Sequence, residues 1–205
     1  RIVDPKKIIT NVDISSKIMS FNIVGYDEKF ETDLIGLHQI ENFALAVATV
    51  KIFLDNKISG QVIKNAIKKV SWRGRFETIS KKPTIIYDVA HNYSGVEALM
   101  NLLNELYKNK KIKFVIGILK NKQLCKILEL IDRKAKSISI APIDTSRSYT
   151  YKELKKMLNN KSKTSVFKNI NSAINNEINS SNRDDVICIF GSHYMGEDVY
   201  RFKDL

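Results

Sequence analysis

The chain has 205 residues, a formal net charge of +12 and 43% hydrophobic residues, which is typical of a globular protein with one or two domains. The sequence contains no run of the roughly 20 apolar residues that a membrane-spanning segment needs. Residues 1–5 do not have the pattern of a secretory signal. Cys125 and Cys188 are isolated thiols, which favours a reducing, cytoplasmic setting. The first residue is Arg rather than Met, which indicates a fragment of a longer protein.

The excess of positive charge raises the possibility of a nucleic-acid ligand. Lysines occur in every segment, however, and blocks such as residues 108–111 and 161–163 fall in predicted loops. This scatter favours a solvated surface, which would also attract a small anionic ligand. Because RNP-type aromatic motifs and zinc-ligand spacings are absent from the sequence, nucleic acid is not a predicted partner.

The first third of the chain predicts short strands followed by two helices. Alternating residues favour strands at 8–14, 18–24 and 29–35, and a helical stripe then runs from His38 to Leu54. Ser59 is a plausible N-cap for a second helix. Its predicted inward residues are Val62, Ile63, Ala66, Ile67 and Val70.

The rest of the chain alternates between strand and helix patterns, which predicts a mostly parallel, doubly wound sheet. The predicted strands are residues 84–87, 112–119, 137–141, 164–167 and 186–190. Capping boxes at residues 94–97 and 150–153 mark two of the helix starts. We therefore expect residues 1–72 and 77–205 to form separate domains, joined by a hinge at 73–76 where Gly74 supplies a pivot.

Asp88, His91 and Asn92 stand between the first of these strands and the next helix. Ligands of α/β proteins bind at this edge of the sheet, and helix N-termini favour anionic groups. Asp88 can accept hydrogen bonds from a ribose, and His91 can contact phosphate or accept a proton. On spacing alone, turn capping by Asp88 and Asn92 with a surface His91 is the better interpretation.

Other polar residues are weaker candidates. Arg75 has the planar fork that suits phosphate, although an exposed loop arginine such as Arg73 fits the pattern equally well. Asn42 shares a helix face with His38 and can pair with an adenine edge, or it can belong to a solvated helix start beside Gln39.

Two further segments follow predicted strands at the same edge as Asp88. They are residues 117–122, which include Lys122, and Gly191-Ser192. Both can line a substrate cleft, and ordinary strand–helix connections explain them nearly as well. The sequence contains no G-x-x-x-x-G-K-[ST] loop, and it predicts no metal site.

From about Phe21 to Tyr200 the chain resembles the C-terminal half of folylpolyglutamate synthase/dihydrofolate synthase, in the Mur ligase superfamily. The residues that carry the resemblance are Gly74-Arg75, Asp88-Val-Ala-His91-Asn92 and Gly36-Leu-His38-Gln39-Ile-Glu-Asn42. The chain departs from the family at Phe43, Arg73, Val89 and Tyr93, where Ala, Pro, Gly and Pro are usual.

The resemblance implies a C-terminal Rossmann-like α/β domain, with a mostly parallel sheet flanked by helices. A remnant of the central ATPase domain, strands plus two helices, precedes it. The implied activity is ATP-dependent ligation of L-glutamate to dihydropteroate or a folate through an acyl phosphate. The matching positions are Asn42, Arg75 and Asp88 for ATP, His91 and Arg75 for catalysis, and Asn92, Lys122 and Ser192 for the substrate. The P-loop and the Mg²⁺ ligands belong upstream in the family, so the chain alone is expected to be inactive.

Two alternatives stay open. One is a UDP-muramyl amino-acid ligase of the same superfamily, although the Asp-Asn-Pro-Arg motif of one such ligase is absent from the sequence. The other is a non-catalytic remnant that binds a nucleotide or RNA, for which the positive charge is the support.

Overall fold

The computed structural model describes residues 4, 7–15, 17–159 and 161–203, so only Asp4 of residues 1–5 is among them. The chain divides into two compact units, Arg1–Arg73 and Gly74–Leu205. None of the helices in the described part of the chain has the length and apolar character that crossing a bilayer requires.

The first unit is a small antiparallel sheet with two helices. Its strands pair in the order β1-β2-β3, and its elements are β1 (Ile9–Ile14), β2 (Met19–Ile23), β3 (Lys29–Thr32), α1 (Leu37–Phe53) and α2 (Gly60–Lys69). Phe21 stacks on Phe30 and Phe43, with ring centroids 6.0 and 5.9 Å apart, and forms the centre of the core. The predicted cap is confirmed, because the Ser59 hydroxyl accepts a hydrogen bond from the Val62 amide.

The inward face predicted for the second helix is only partly correct. Ile63 and Ile67 are buried, but Val62 is 56% exposed. On α1 the predicted stripe is likewise buried only in its first half, and Val50 and Leu54 lie at the surface. Because apolar residues lie all around α1, sequence periodicity could not select the buried face.

The second unit contains a six-stranded sheet in the order β4-β5-β9-β6-β7-β8. Its strands are β4 (Glu77–Lys81), β5 (Thr84–Asp88), β6 (Ile112–Ile116), β7 (Ala135–Ile140), β8 (Thr164–Val166) and β9 (Val186–Phe190). All pairs are parallel except β4 with β5, which confirms the predicted parallel-rich α/β fold. β4 was not predicted, because it contains a single large apolar residue, Ile79, and its pairing register shifts between Thr78 and Ser80.

Helices cover both faces of this sheet. They are α3 (Tyr93–Leu106), α4 (Leu124–Asp132), α5 (Tyr151–Leu158), α6 (Ile170–Asn179) and α7 (Gly196–Tyr200). Right-handed crossovers place α3, α4 and α5 on one face, whereas α6, which returns the chain from β8 to β9, lies on the other. The core on the α6 side joins Ile85, Tyr87, Ile187 and Ile189 of the sheet to Ile170, Ala173 and Ile174.

The two predicted capping boxes had different outcomes. At α5 the Thr150 hydroxyl accepts from the Glu153 amide and the Glu153 carboxylate accepts from the Thr150 amide, so this box is confirmed. The box predicted at residues 94–97 is wrong, because Asn92, two residues before Ser94, is the N-cap of α3. Asn92 therefore has the capping role that the sequence predicted for Ser94.

A buried charged pair lies between the sheet and α6. The Lys113 ammonium is 3.8 Å from the Glu177 carboxylate, and the side chains are 3% and 2% exposed. The Glu177 carboxylate accepts hydrogen bonds from the Ser137 and Ser139 hydroxyls, and Lys113 donates to the Ser180 carbonyl and hydroxyl, each at 2.7 Å. The polar groups of this cluster are therefore hydrogen-bonded, which offsets the cost of burying both charges.

Part of the excess positive charge lies at helix C-termini. The Lys134 ammonium donates to the Tyr107 carbonyl at the end of α3, at 2.7 Å, and Lys111 donates to the Arg133 carbonyl at the end of α4, at 2.5 Å. Burial, with a further contribution from Lys111, lowers the pKa of Lys134. Lysines in these positions pair with carbonyls that have no partner within the helix.

We predict that Lys113→Met lowers the free energy of unfolding by about 3 kcal/mol, because it leaves the Glu177 carboxylate buried without a counter-charge. Lys136→Met is the matched control. It removes a pair with Asp185 in which the lysine side chain is 46% exposed, and it should cost less than about 1 kcal/mol. Urea unfolding measures both; equal losses in the two variants would contradict the role assigned to Lys113.

We also predict an acid-dependent contribution from the α5 cap. Hydrogen bonds from Lys120, then from the Thr150 amide and hydroxyl, lower the pKa of Glu153 to about 2 from 4.5. Because this pKa is depressed on folding, the stabilisation is complete above pH 4.5 and is lost as the pH falls towards 2. Carboxyl-carbon NMR should show the low midpoint in the native chain and a higher one in Thr150→Ala. A native midpoint near 4.5 would contradict the cap.

Candidate functional site

The carboxyl ends of the parallel strands form one edge of the sheet, and the chain changes direction there. β9 lies between β5 and β6. From β5 the chain continues into α3 on one face, whereas from β9 it continues through a 3₁₀ turn (His193–Met195) into α7, whose Val199 lies in the core on the α6 side. Ligands of open α/β sheets bind at such switch points.

Asp88, at the end of β5, is 7% exposed. One carboxylate oxygen accepts a hydrogen bond from the Phe76 amide at 2.9 Å, and the other accepts from the Ala90 amide at 2.7 Å. The side chain therefore stabilises the backbone on both sides of the strand end, as the capping interpretation expected. Its contact with a ribose stays a prediction.

The segment that contains Arg75 is held against β5 by further hydrogen bonds. The Val89 amide donates to the Gly74 carbonyl at 2.9 Å, and the Gly74 amide donates to the Glu77 carboxylate at 2.8 Å. Gly74 has a φ of +71°, and a Cβ there would lie 2.6 Å from a Val89 methyl group. Phe76 also has a positive φ, of +49°. We call residues 74–77 the arginine turn; the hydrogen bonds on both sides of Arg75 fix its backbone at the edge of the sheet.

Two tyrosine hydrogen bonds that the sequence did not predict lie beside this turn. The Tyr200 hydroxyl donates to the Glu77 carboxylate at 2.7 Å, and the Tyr87 hydroxyl donates to the Ser192 carbonyl at 2.8 Å. Burial, followed by the Asp88 and Glu77 carboxylates, raises the pKa of Tyr87, so the phenol stays protonated as a donor. Tyr200 lies 123 residues from Glu77, and local sequence carries no signal for that pair.

His91 and Asn92 follow on the loop into α3. The Nδ1 atom of His91 is 3.0 Å from the Val89 carbonyl; because a carbonyl only accepts, Nδ1 is the donor, and in the neutral tautomer that makes this contact Nε2 has the lone pair. The exposed imidazole can thus accept a proton at Nε2. The Asn92 side-chain oxygen accepts from the Gly95 amide at 2.8 Å, so its structural role is the helix cap, and a substrate contact stays a prediction.

The remaining substrate candidates lie beside β9. Gly191 has a φ of +127°, and a Cβ there would lie 2.2 Å from the Gly117 carbonyl oxygen, so the loops after β9 and β6 approach backbone to backbone. The Ser192 hydroxyl accepts from the Tyr194 amide at 3.2 Å, and among the described residues it donates to no acceptor, so its hydrogen is available to a ligand. Lys122 is half-buried on the β6–α4 loop. β6 ends at Ile116, earlier than predicted, and the Gly117 amide makes the last hydrogen bond of its pairing with β9, to the Phe190 carbonyl.

Asn42 belongs to the other unit, where it lies in a chain of polar side chains at the start of α1. Its amide group donates to the Gln39 side-chain oxygen at 3.1 Å, and the Gln39 nitrogen is 3.0 Å from Nε2 of His38. Gln39 is buried, so these contacts order the polar face that the sequence predicted. In the part of the chain that the structure describes, no cluster of His, Cys, Asp or Glu side chains has the arrangement of a metal site.

Comparison with known proteins identifies a family. Residues 74–193 match the model of the Mur ligase glutamate ligase domain. A dihydrofolate synthase/folylpolyglutamate synthase of Buchnera aphidicola (from Schizaphis graminum) is 27% identical over 98% of this chain and 49% of its own length. The corresponding protein of the strain from Acyrthosiphon pisum is 37% identical over 72% of this chain and 36% of its own length. The chain thus spans about half the length of the first of these relatives and about a third of the second.

Solved structures show the same fold. The Escherichia coli FolC structure in complex with ADP has a TM-score of 0.71 and 23% identity, over 93% of this chain and 44% of that one. The Mycobacterium tuberculosis folylpolyglutamate synthase complexed with ADP and AMPPCP has a TM-score of 0.73 and 20% identity, over 94% and 46%. The chain belongs to the Mur ligase family, and within it to the C-terminal part of the folylpolyglutamate synthase/dihydrofolate synthases.

Proposed function

We propose that the chain is part of an ATP-dependent ligase that joins L-glutamate to dihydropteroate, to a folate, or to both. The observation that carries this proposal is the arginine turn, which Asp88 fastens to the end of β5 beside the switch point of the sheet. An arginine fixed at this edge suits the phosphates of a nucleotide. The folylpolyglutamate synthase relatives and the ADP complex of the Escherichia coli protein support the choice of ATP.

The proposed reaction has two steps. A carboxylate oxygen of the pteridine substrate attacks the γ-phosphorus of ATP, so that an acyl phosphate forms and ADP leaves. The amine of L-glutamate then attacks the acyl carbon, phosphate leaves and the amine loses a proton. When bound, Mg²⁺ would neutralise part of the charge of the phosphates. We place its ligands upstream of this chain, as the resemblance implies.

The residues of this chain take separate roles in that scheme. Arg75 binds phosphate and offsets the charge of the transition state, and Asp88 meets the ribose. His91 accepts a proton at Nε2, the nitrogen that its contact with the Val89 carbonyl leaves unprotonated. Asn42 contacts the adenine edge. Around the amino acid or the pteridine we place Asn92, Lys122 and Ser192.

A second part of the proposal concerns the half of the ligase outside this chain. Leu45, Ile52 and Phe53 on α1 are 44%, 53% and 86% exposed, although a helix that is apolar all round is normally buried. Because the chain spans only half of its relative's length, we propose that the remaining ATPase domain covers this face. Residues 1–72 would then be the last part of that domain and 77–205 the C-terminal domain of a cytoplasmic enzyme. Within the predicted hinge 73–76 the pivot would fall at Arg73, because Gly74 and Phe76 are hydrogen-bonded to the end of β5.

A wall-precursor ligase is the second candidate. A UDP-N-acetylmuramoyl-L-alanyl-D-glutamate–2,6-diaminopimelate ligase of Buchnera aphidicola is 26% identical over 83% of this chain. The resemblance of the His38-Gln39 pair and of residues 88–92 favours the folate branch. Offering dihydropteroate and a UDP-muramyl peptide to the full-length enzyme, and measuring which releases ADP, separates the two candidates.

We predict that Arg75→Gln in the full-length ligase lowers kcat for glutamate-dependent ADP release by about 100-fold, because a charged donor to the transition state is lost. Arg73→Gln, two positions away and exposed, is the control and should stay within about twofold. If the Arg75 variant kept more than about a tenth of the activity, Arg75 would not be the phosphate-binding group.

We predict that Phe53→Ser destabilises the full-length ligase by about 3 kcal/mol, because a buried aromatic ring is lost, but changes this 205-residue chain by less than about 0.5 kcal/mol. Lys57→Ser, at a nearby exposed position, should be silent in both. Guanidinium unfolding of the two proteins measures the difference. A small effect in both would mean that the ATPase domain leaves this face uncovered.

A further inference from the structure

The loop that follows β7 lies at the same edge of the sheet as Asp88, and its backbone is fixed. Leu119 and Ser148 form a β-bridge, and the Lys120 amide donates to the Arg147 carbonyl at 3.1 Å. The Ser148 hydroxyl accepts from the Ile143 amide at 2.8 Å. Arg147 therefore stands on a loop that is joined both to the β6–α4 loop and to the end of β7.

The side chain of Arg147 is also positioned. One guanidinium nitrogen donates to the Tyr194 hydroxyl at 3.0 Å, and the guanidinium carbon lies 5.9 Å from the centre of the Tyr194 ring. Tyr194 lies two residues after Ser192 in the segment that follows β9, and its amide donates to the Ser192 hydroxyl. The Arg147–Tyr194 contact thus links the loop after β7 to the proposed substrate residue Ser192.

The charge of Arg147 is not neutralised by the ion pairs found among the described residues, which are formed by Lys113, Lys120, Lys136, Lys163 and Arg201. Its neighbour Lys120, by contrast, pairs with Glu153 at 2.7 Å. A guanidinium has five donors, and the Tyr194 hydroxyl takes one. An exposed, oriented guanidinium of this kind matches the two oxygens of a carboxylate.

We propose that Arg147 binds a carboxylate of the incoming L-glutamate, and that Tyr194 is the residue that positions it. This inference rests on the proposed ligase function and adds a residue that recognises the amino acid. L-Glutamate brings two carboxylates, and one must be held while the amine reaches the acyl carbon. The Arg147 guanidinium donates two parallel hydrogen bonds to one carboxylate of L-glutamate. The Ser192 hydroxyl, near Tyr194, can donate to another oxygen of the same ligand.

The test is an NMR titration of this chain with L-glutamate at constant ionic strength and without nucleotide, which follows the Arg147 Nε–H and Tyr194 amide signals. Arg147→Gln should weaken the affinity at least about tenfold, as expected for the loss of a charge-assisted pair. Arg147→Lys should retain part of it, and Tyr194→Phe should lose less than Arg147→Gln. Arg183→Gln, an exposed arginine before β9, is the matched control and should leave affinity unchanged.

Amides of the ligand identify the carboxylate. L-Glutamine lacks the side-chain carboxylate, and L-isoglutamine lacks the α-carboxylate. If the native chain and Arg147→Gln bind one of these amides equally well, the carboxylate that this amide lacks is the one that Arg147 binds. Equal affinity of the native chain and Arg147→Gln for L-glutamate, or no binding by the native chain, would overturn the proposal. Because nucleotide is absent, either result leaves the Arg75 assignment to its own kinetic test.

Discussion

The structure of the candidate site depends on one buried carboxylate. Asp88 accepts hydrogen bonds from the amides of Phe76 and Ala90, so the end of β5, the arginine turn and the loop into α3 form one hydrogen-bonded assembly. A carboxylate that accepts backbone amides in a site that is 7% exposed is held by stronger bonds than a neutral side chain would make. These bonds fix the backbone at Arg75 and His91, because Arg75 precedes Phe76 and His91 follows Ala90.

The sheet was largely predictable from sequence, because its central strands are continuous apolar runs between turn residues. β9 has the predicted bounds, and β5 extends one residue further, to Asp88 itself. Prediction failed where local patterns were weak or ambiguous. β4 has too few apolar residues to show a strand period, and α1 has too many to show which face is buried. At α3 two polar residues on either side of Tyr93 could each cap the helix, and in the structure the cap is Asn92 rather than Ser94.

Of the candidate site residues, the sequence alone grouped Asp88, His91 and Asn92 after one strand, and their roles toward a ligand stay predictions. Asp88 and Arg75 do lie together, but the link is a hydrogen bond between the Asp88 side chain and the backbone of the residue after Arg75, which no residue pattern encodes. The contacts of Glu77 with Tyr200 and of Arg147 with Tyr194 join distant segments. The burial of Lys113 could not be predicted either, because its partner Glu177 is 64 residues away in the sequence, on a helix that packs against the sheet only in the folded chain.

The most direct test of the account is native-state hydrogen exchange at the amides of Phe76 and Ala90. If the Asp88 carboxylate fastens both to the end of β5, their protons should exchange only through global unfolding, with the same free energy as the Ile86 amide in the strand. Exchange within about tenfold of the rate of an unstructured peptide, while Ile86 remains protected, would show that the turn is not held. The structural basis for placing Arg75 at the nucleotide would then be lost.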